Sequence, residues 1–64
     1  MSTVSELKKG DILTNTSHGF DIEIKRIGKN VMRYKNLETG GKVKSFTSEF
    51  NFMLFCGVFV MKEL

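Results

Sequence analysis

Between positions 25 and 44 the chain carries Lys25, Arg26, Lys29, Arg33, Lys35, Lys42 and Lys44 against a single acid, Glu38, a local balance of +6. The remaining residues hold three lysines and six acids, a balance of −3, and the whole chain is left at +3. Clustered Lys and Arg neutralise phosphates or carboxylates and release their counterions, so anion binding is the chemistry this segment offers. Lys25, Arg33, Lys35, Lys42 and Lys44 are the candidate contacts. The competing reading is a solvated exterior, where basic side chains discourage edge-to-edge association of strands. A pI near 9.3 only just passes the value of about 9 usual for nucleic-acid modules.

Catalytic chemistry has little to stand on. His18 is the one imidazole and sits in the polar stretch Asn15–Gly19, where a surface turn residue is expected. Cys56 is the one thiol, set in an apolar run that predicts an inert core position. One Cys and one His cannot complete a structural zinc site. Asp21 and Glu23 alternate onto one strand face, a common exterior pattern that makes no acid/base pair by itself. Gly40-Gly41 lacks the Lys-Ser/Thr and the helix that a phosphate loop needs. The expectation is a non-enzyme with neither cofactor nor metal.

A second concentration is apolar. Five of the six Phe residues lie at 46, 50, 52, 55 and 59, and eleven of the sixteen residues from 46 to 61 are apolar. That exceeds what one face of one element buries. Phe52, Phe55, Phe59 and Met61 are therefore candidates for an exposed patch that meets a protein partner or a second copy of the chain. The alternative is that the last helical turn and strand form the core.

These residues must be positioned by a chain of 64 residues. A domain this small buries only about 60% of its unfolded surface. No disulfide is available to staple it. Without Pro, repeats or a Ser/Gly linker, one domain over 7–64 is expected, preceded by a frayed, polar 1–6. The longest apolar run, 52–61, has ten residues where a membrane span needs about 20. With no leader-like N-terminus and a lone Cys, a cytoplasmic protein without a membrane partner is expected.

Short extended runs separated by Gly and Asn read as strands. They are 11–15, 20–25, 31–37, 41–46 and 58–62. Phe20, Ile22 and Ile24 alternate with Asp21, Glu23 and Lys25, the signature of a half-buried strand. A turn at 28–30 pairs Ile27 with Val31, Ile24 with Tyr34 and Glu23 with Lys35. At Thr39-Gly40 two turns fit. A two-residue turn sets Lys35 opposite Lys44 and keeps the basic cluster on one face; a three-residue turn moves Lys42 and Lys44 to the Tyr34 face. Thr47-Ser-Glu-Phe50 predicts a helix with a hydroxyl cap, carrying Phe50 and Leu54 on one side and ending at Gly57.

Four strands in a meander, a helical turn and a closing strand describe a small barrel. The lead-in Leu7-Lys-Lys-Gly-Asp-Ile-Leu13, the 31–37 hairpin with its Thr39-Gly40-Gly41 turn, and the turn at 47–50 resemble the SH3-like barrels. In size and composition the chain is similar to small orphan proteins of bacteria and their phages. The resemblance implies an all-β, five-stranded SH3-like barrel with one short helical turn before the last strand; a two-layer α+β domain follows if the helix is longer. The Trp and acidic loop with which signalling SH3 domains hold proline-rich peptides are missing. The leading functional expectation is a non-catalytic module, a small regulator or inhibitor docked on a larger cytosolic protein. A nucleic-acid-binding module that uses the basic hairpin face is the second, and a structural homo-oligomer the third.

Overall fold

A computed structural model describes residues 7–62; the expectation for 1–6 lies outside them. The strands are β1 (Ile12–Asn15), β2 (Asp21–Ile27), β3 (Val31–Asn36), β4 (Lys42–Phe46) and β5 (Phe59–Met61). The helix α1 (Thr47–Phe55) stands between β4 and β5. All strand pairs are antiparallel and the sheet order is β4-β3-β2-β1-β5. The chain is therefore mostly β, as the alternation predicts.

Closure of the barrel is not found. β4 and β5 are the two edges of an open sheet. The reason lies in the helix, which runs to nine residues and follows β4 without a linker. Phe50 and Leu54, one helical turn apart, turn inward and are buried. Phe50 is fully buried, stacked on Phe59 with ring centroids 4.9 Å apart and tilted against Tyr34 at 5.4 Å. The helix thus stands in the chain between the two edge strands and packs Phe50 against β3 and β5. Leu7, Leu13, Ile22, Ile24 and Met32 complete the core.

The helix ends are set differently from one another. At the C-terminus Gly57 takes φ +80°. Its N–H donates to the Leu54 carbonyl and that of Val58 to the Met53 carbonyl. This is a Schellman cap, the stop that the Gly predicts. At the N-terminus the hydroxyl cap is absent: Phe46 is the capping residue and makes no side-chain cap bond. Thr47 Oγ1 instead donates to the Gly28 carbonyl at 2.9 Å, and Thr47 N–H to the Asn30 carbonyl at 2.9 Å. The hydroxyl ties the helix to the β2–β3 hairpin. Gly28 is needed there, because a Cβ would sit 2.5 Å from the Val31 carbonyl oxygen.

Two registers decide where the cations go. The β2–β3 pairing begins as expected, with Glu23 opposite Lys35 and Ile24 opposite Tyr34. A bulge between Ile24 and Arg26 then shifts it by one, so that Ile27 faces Met32 rather than Val31. Strict alternation would have put Arg26 with Ile24 in the core and Ile27 outside. The extra residue, Lys25, reverses both. In the β3–β4 hairpin neither anticipated turn forms. Asn36 Oδ1 accepts from the N–H groups of Glu38 and Thr39 and its own N–H donates to the Gly41 carbonyl, closing a four-residue loop. Arg33 consequently faces Lys44, and Lys35 faces Lys42. Four shares its parity with two, so the basic residues stay together.

Candidate anion-binding face

On the sheet face turned away from α1, the strand periodicity sets side chains in cross-strand rows. Glu23, Lys35 and Lys42 form one row. Arg26, Arg33 and Lys44 form the next, and Val31 with Phe46 the last. Directly opposed residues have Cβ atoms about 4.5–5.5 Å apart. The pairs Arg26–Arg33, Arg33–Lys44 and Lys35–Lys42 are all like-charged. Such pairs weaken a sheet by tenths of a kcal/mol each unless an anion lies between them, on the scale of about 0.2–1 kcal/mol per cross-strand pair.

A groove of ≈ 830 Å³ runs over these rows, lined by Lys9, Lys25, Arg26, Arg33, Lys35, Lys42 and Lys44 and reaching Tyr34 and Val43. Among the described residues no carboxylate lines it. A shallower depression of ≈ 350 Å³ continues past Arg26, Arg33 and Lys44 to Lys29 in the hairpin loop. Among the described residues Lys25 is the one groove cation in an ion pair, with Glu23 Oε1 at 3.2 Å. Among the described residues, Lys9, Arg26, Arg33, Lys35, Lys42 and Lys44 have no acid within ion-pair distance.

All five basic candidates, Lys25, Arg33, Lys35, Lys42 and Lys44, therefore line one groove. Two further members, Arg26 and Lys9, escape the sequence reading. Arg26 arrives through the bulge. Its signal was present: an Arg in phase with Ile22 and Ile24, followed by an out-of-phase Ile27, is a conflict that one extra residue resolves. Lys9 is brought in because the chain before β1 pairs with Ile24, where the bulge begins. Gly10 N–H donates to the Ile24 carbonyl at 2.7 Å and Ile24 N–H to the Asp11 carbonyl at 2.9 Å.

The apolar candidates divide. Phe52 and Phe55 stand on the outer side of α1 at 66% and 63% exposure, and Met61 on the edge strand β5 at 43%. Phe59 is a correction to that set: it is buried beneath Phe50 and Tyr34. Cys56 is a second correction. It lies exposed at the helix C-cap rather than in the core. Tyr34 packs in the core against Phe50 and Phe59, and burial raises its phenol pKa.

The remaining titratable residues hold structure. Asp21 bridges β1 and the segment after β5, accepting from Lys62 Nζ and from Thr14 Oγ1. The Lys62 bond, then the Thr14 bond, hold its carboxyl below the ordinary carboxylate range. A depressed carboxylate favours the fold above its unfolded pKa, and this small contribution is lost as pH falls through the folded value. His18 lies in the loop after β1, stacked on Phe20 at 6.1 Å. Asn15 Oδ1 accepts from the N–H of Ser17 and of His18 and shapes that loop. Among the described residues no group of three His, Cys, Asp or Glu could hold a metal ion. Among them, too, no helix is long and apolar enough to cross a membrane.

No family model, curated protein or solved structure matches this chain.

Proposed function

We propose that the chain is a non-catalytic binding module of the cytoplasm whose basic sheet face binds nucleic acid. One observation carries this reading: six cations with no acid within ion-pair distance among the described residues converge on a groove that none of the described carboxylates lines. The strand order, with four strands in a meander and the fifth beside the first, further supports kinship with SH3-like barrels, here held open by α1. The hairpin register moves the weight from protein docking to nucleic acid. A three-residue turn would have split the cluster between the two faces.

Salt dependence tests the reading. If the six cations each meet a phosphate of a single strand, log Kobs falls with log salt at a slope of about −4. Fluorescence anisotropy of a labelled oligonucleotide across a salt series measures it. A flat dependence, or no binding at low salt, would refute the proposal.

A second reading retains a small regulator or inhibitor that docks on a larger protein. Phe52 and Phe55 favour it, two large rings held three residues apart on the outer side of α1 and each more than 60% exposed.

A further inference from the structure

The basic face ends in an aromatic residue. Phe46 lies two residues beyond Lys44 on β4, on the same side of the strand, and faces Val31 across the ladder. It is 61% exposed although it directly precedes the helix that supplies the core with Phe50. Its backbone is held on both sides, by the Val31 pairing and by the two Thr47 bonds to the hairpin loop. The ring is an exposed apolar surface in a fixed place.

Beside it lies a depression of ≈ 240 Å³ lined by Val31, Lys44, Ser45, Phe46 and Glu49. Its chemistry differs from that of the groove. Phe46 and Val31 give it an apolar wall, the Glu49 carboxylate gives it a polar group, Ser45 completes the lining between them, and Lys44 stands where it meets the cations. Glu49 makes no ion pair among the described residues. A phosphate is repelled from the Glu49 side and drawn to Lys44. A base has the opposite preference, because its π face stacks on a Phe ring and its amino hydrogens suit a carboxylate acceptor.

We propose that Phe46, Val31, Ser45 and Glu49 form a subsite for one unstacked base, with Lys44 on the adjoining phosphate, so that the ligand of the groove is single-stranded nucleic acid. The inference rests on the nucleic-acid reading above and narrows it. In a duplex the bases are stacked on one another with their pairing edges occupied, and no face is free for Phe46. Bases that carry an amino group, such as cytosine, are favoured over thymine by the Glu49 acceptor.

The test uses anisotropy at low salt with labelled oligodeoxycytidine, oligodeoxythymidine and a duplex, against the wild type, Phe46→Ala, Phe46→Tyr and Glu49→Ala. Inorganic polyphosphate serves as a competitor that has no bases. Phe46→Ala is expected to weaken binding of oligodeoxycytidine by roughly tenfold, the scale of one lost base stack, and to leave competition by polyphosphate unchanged. Phe46→Tyr restores binding, and Glu49→Ala removes the preference for cytosine. Unchanged affinity in Phe46→Ala, or equal affinity for the duplex, overturns the subsite while leaving the phosphate-binding groove standing. Failure of the wild type to bind any of the three overturns both.

Discussion

Replacing Lys42 and Lys44 together by glutamate is expected to abolish nucleic-acid binding while leaving the fold as stable as before, or slightly more so. Both residues project from β4 into the groove. The double change removes two contacts, puts two carboxylates in their place and lowers the net charge from +3 by four units. Like charge at an interface costs several kcal/mol, so affinity should fall by more than about 100-fold. The fold moves the other way. Position 42 faces Lys35 and position 44 faces Arg33, so two like-charged cross-strand pairs become two opposite-charged ones. Each is worth about 0.2–1 kcal/mol. A thermal melt that rises or holds while binding disappears separates loss of the surface from loss of the fold. Phe52→Ala with Phe55→Ala is the complementary variant: it leaves nucleic-acid binding unchanged, and the protein-docking reading requires it to matter.

Phe50→Ala is expected to unfold the domain. The ring is fully buried and touches both Phe59 and Tyr34, linking α1 to β5 and β3. Truncating a buried Phe to Ala costs about 3–5 kcal/mol. At about 0.05–0.15 kcal/mol per residue, the whole stability of a domain this size is of the same order. Neither a disulfide nor, among the described residues, a metal cluster is there to compensate. Urea denaturation followed by circular dichroism should show the transition shifted to the start of the titration or lost. Phe52→Ala, two residues along on the exposed side, should move the midpoint by no more than about 0.5 kcal/mol in stability. A Phe50→Ala variant as stable as the wild type would mean that α1 does not close the core.

The contrast between those two Phe residues shows what was legible in the sequence and what was not. Period-two alternation from Phe20 to Ile24 located β2 and its core face, and Phe50 with Leu54 located the buried side of α1. Gly57 marked the helix end. The five strands and the short helix are legible in the sequence and closure of the barrel is not, because local patterns specify elements, whereas closure depends on how the sheet edges meet. The burial of Phe59 is not legible because Val58–Met61 is apolar at every position, so nothing marks Phe59 as the one that points in while Val60 and Met61 are each 43% exposed. Arg26, counted in the basic segment, is not among the five candidate contacts because a bulge breaks the period on which face assignments rest. The β3–β4 register stayed open because it is set by a single Asn36 side chain closing a loop, and the apolar pattern of β4 is too weak to choose.

If the groove over β2, β3 and β4 is the working surface, NMR mapping will locate the ligand there. An unlabelled single-stranded oligonucleotide would be titrated into uniformly 15N-labelled protein, with amide shifts followed residue by residue. Shifts are expected to concentrate at Lys9, Arg26, Arg33, Lys35, Lys42, Lys44 and Phe46, while Phe52, Phe55 and Met61 stay still. Shifts confined to the outer side of α1 and β5, or no shifts at low salt, would contradict it.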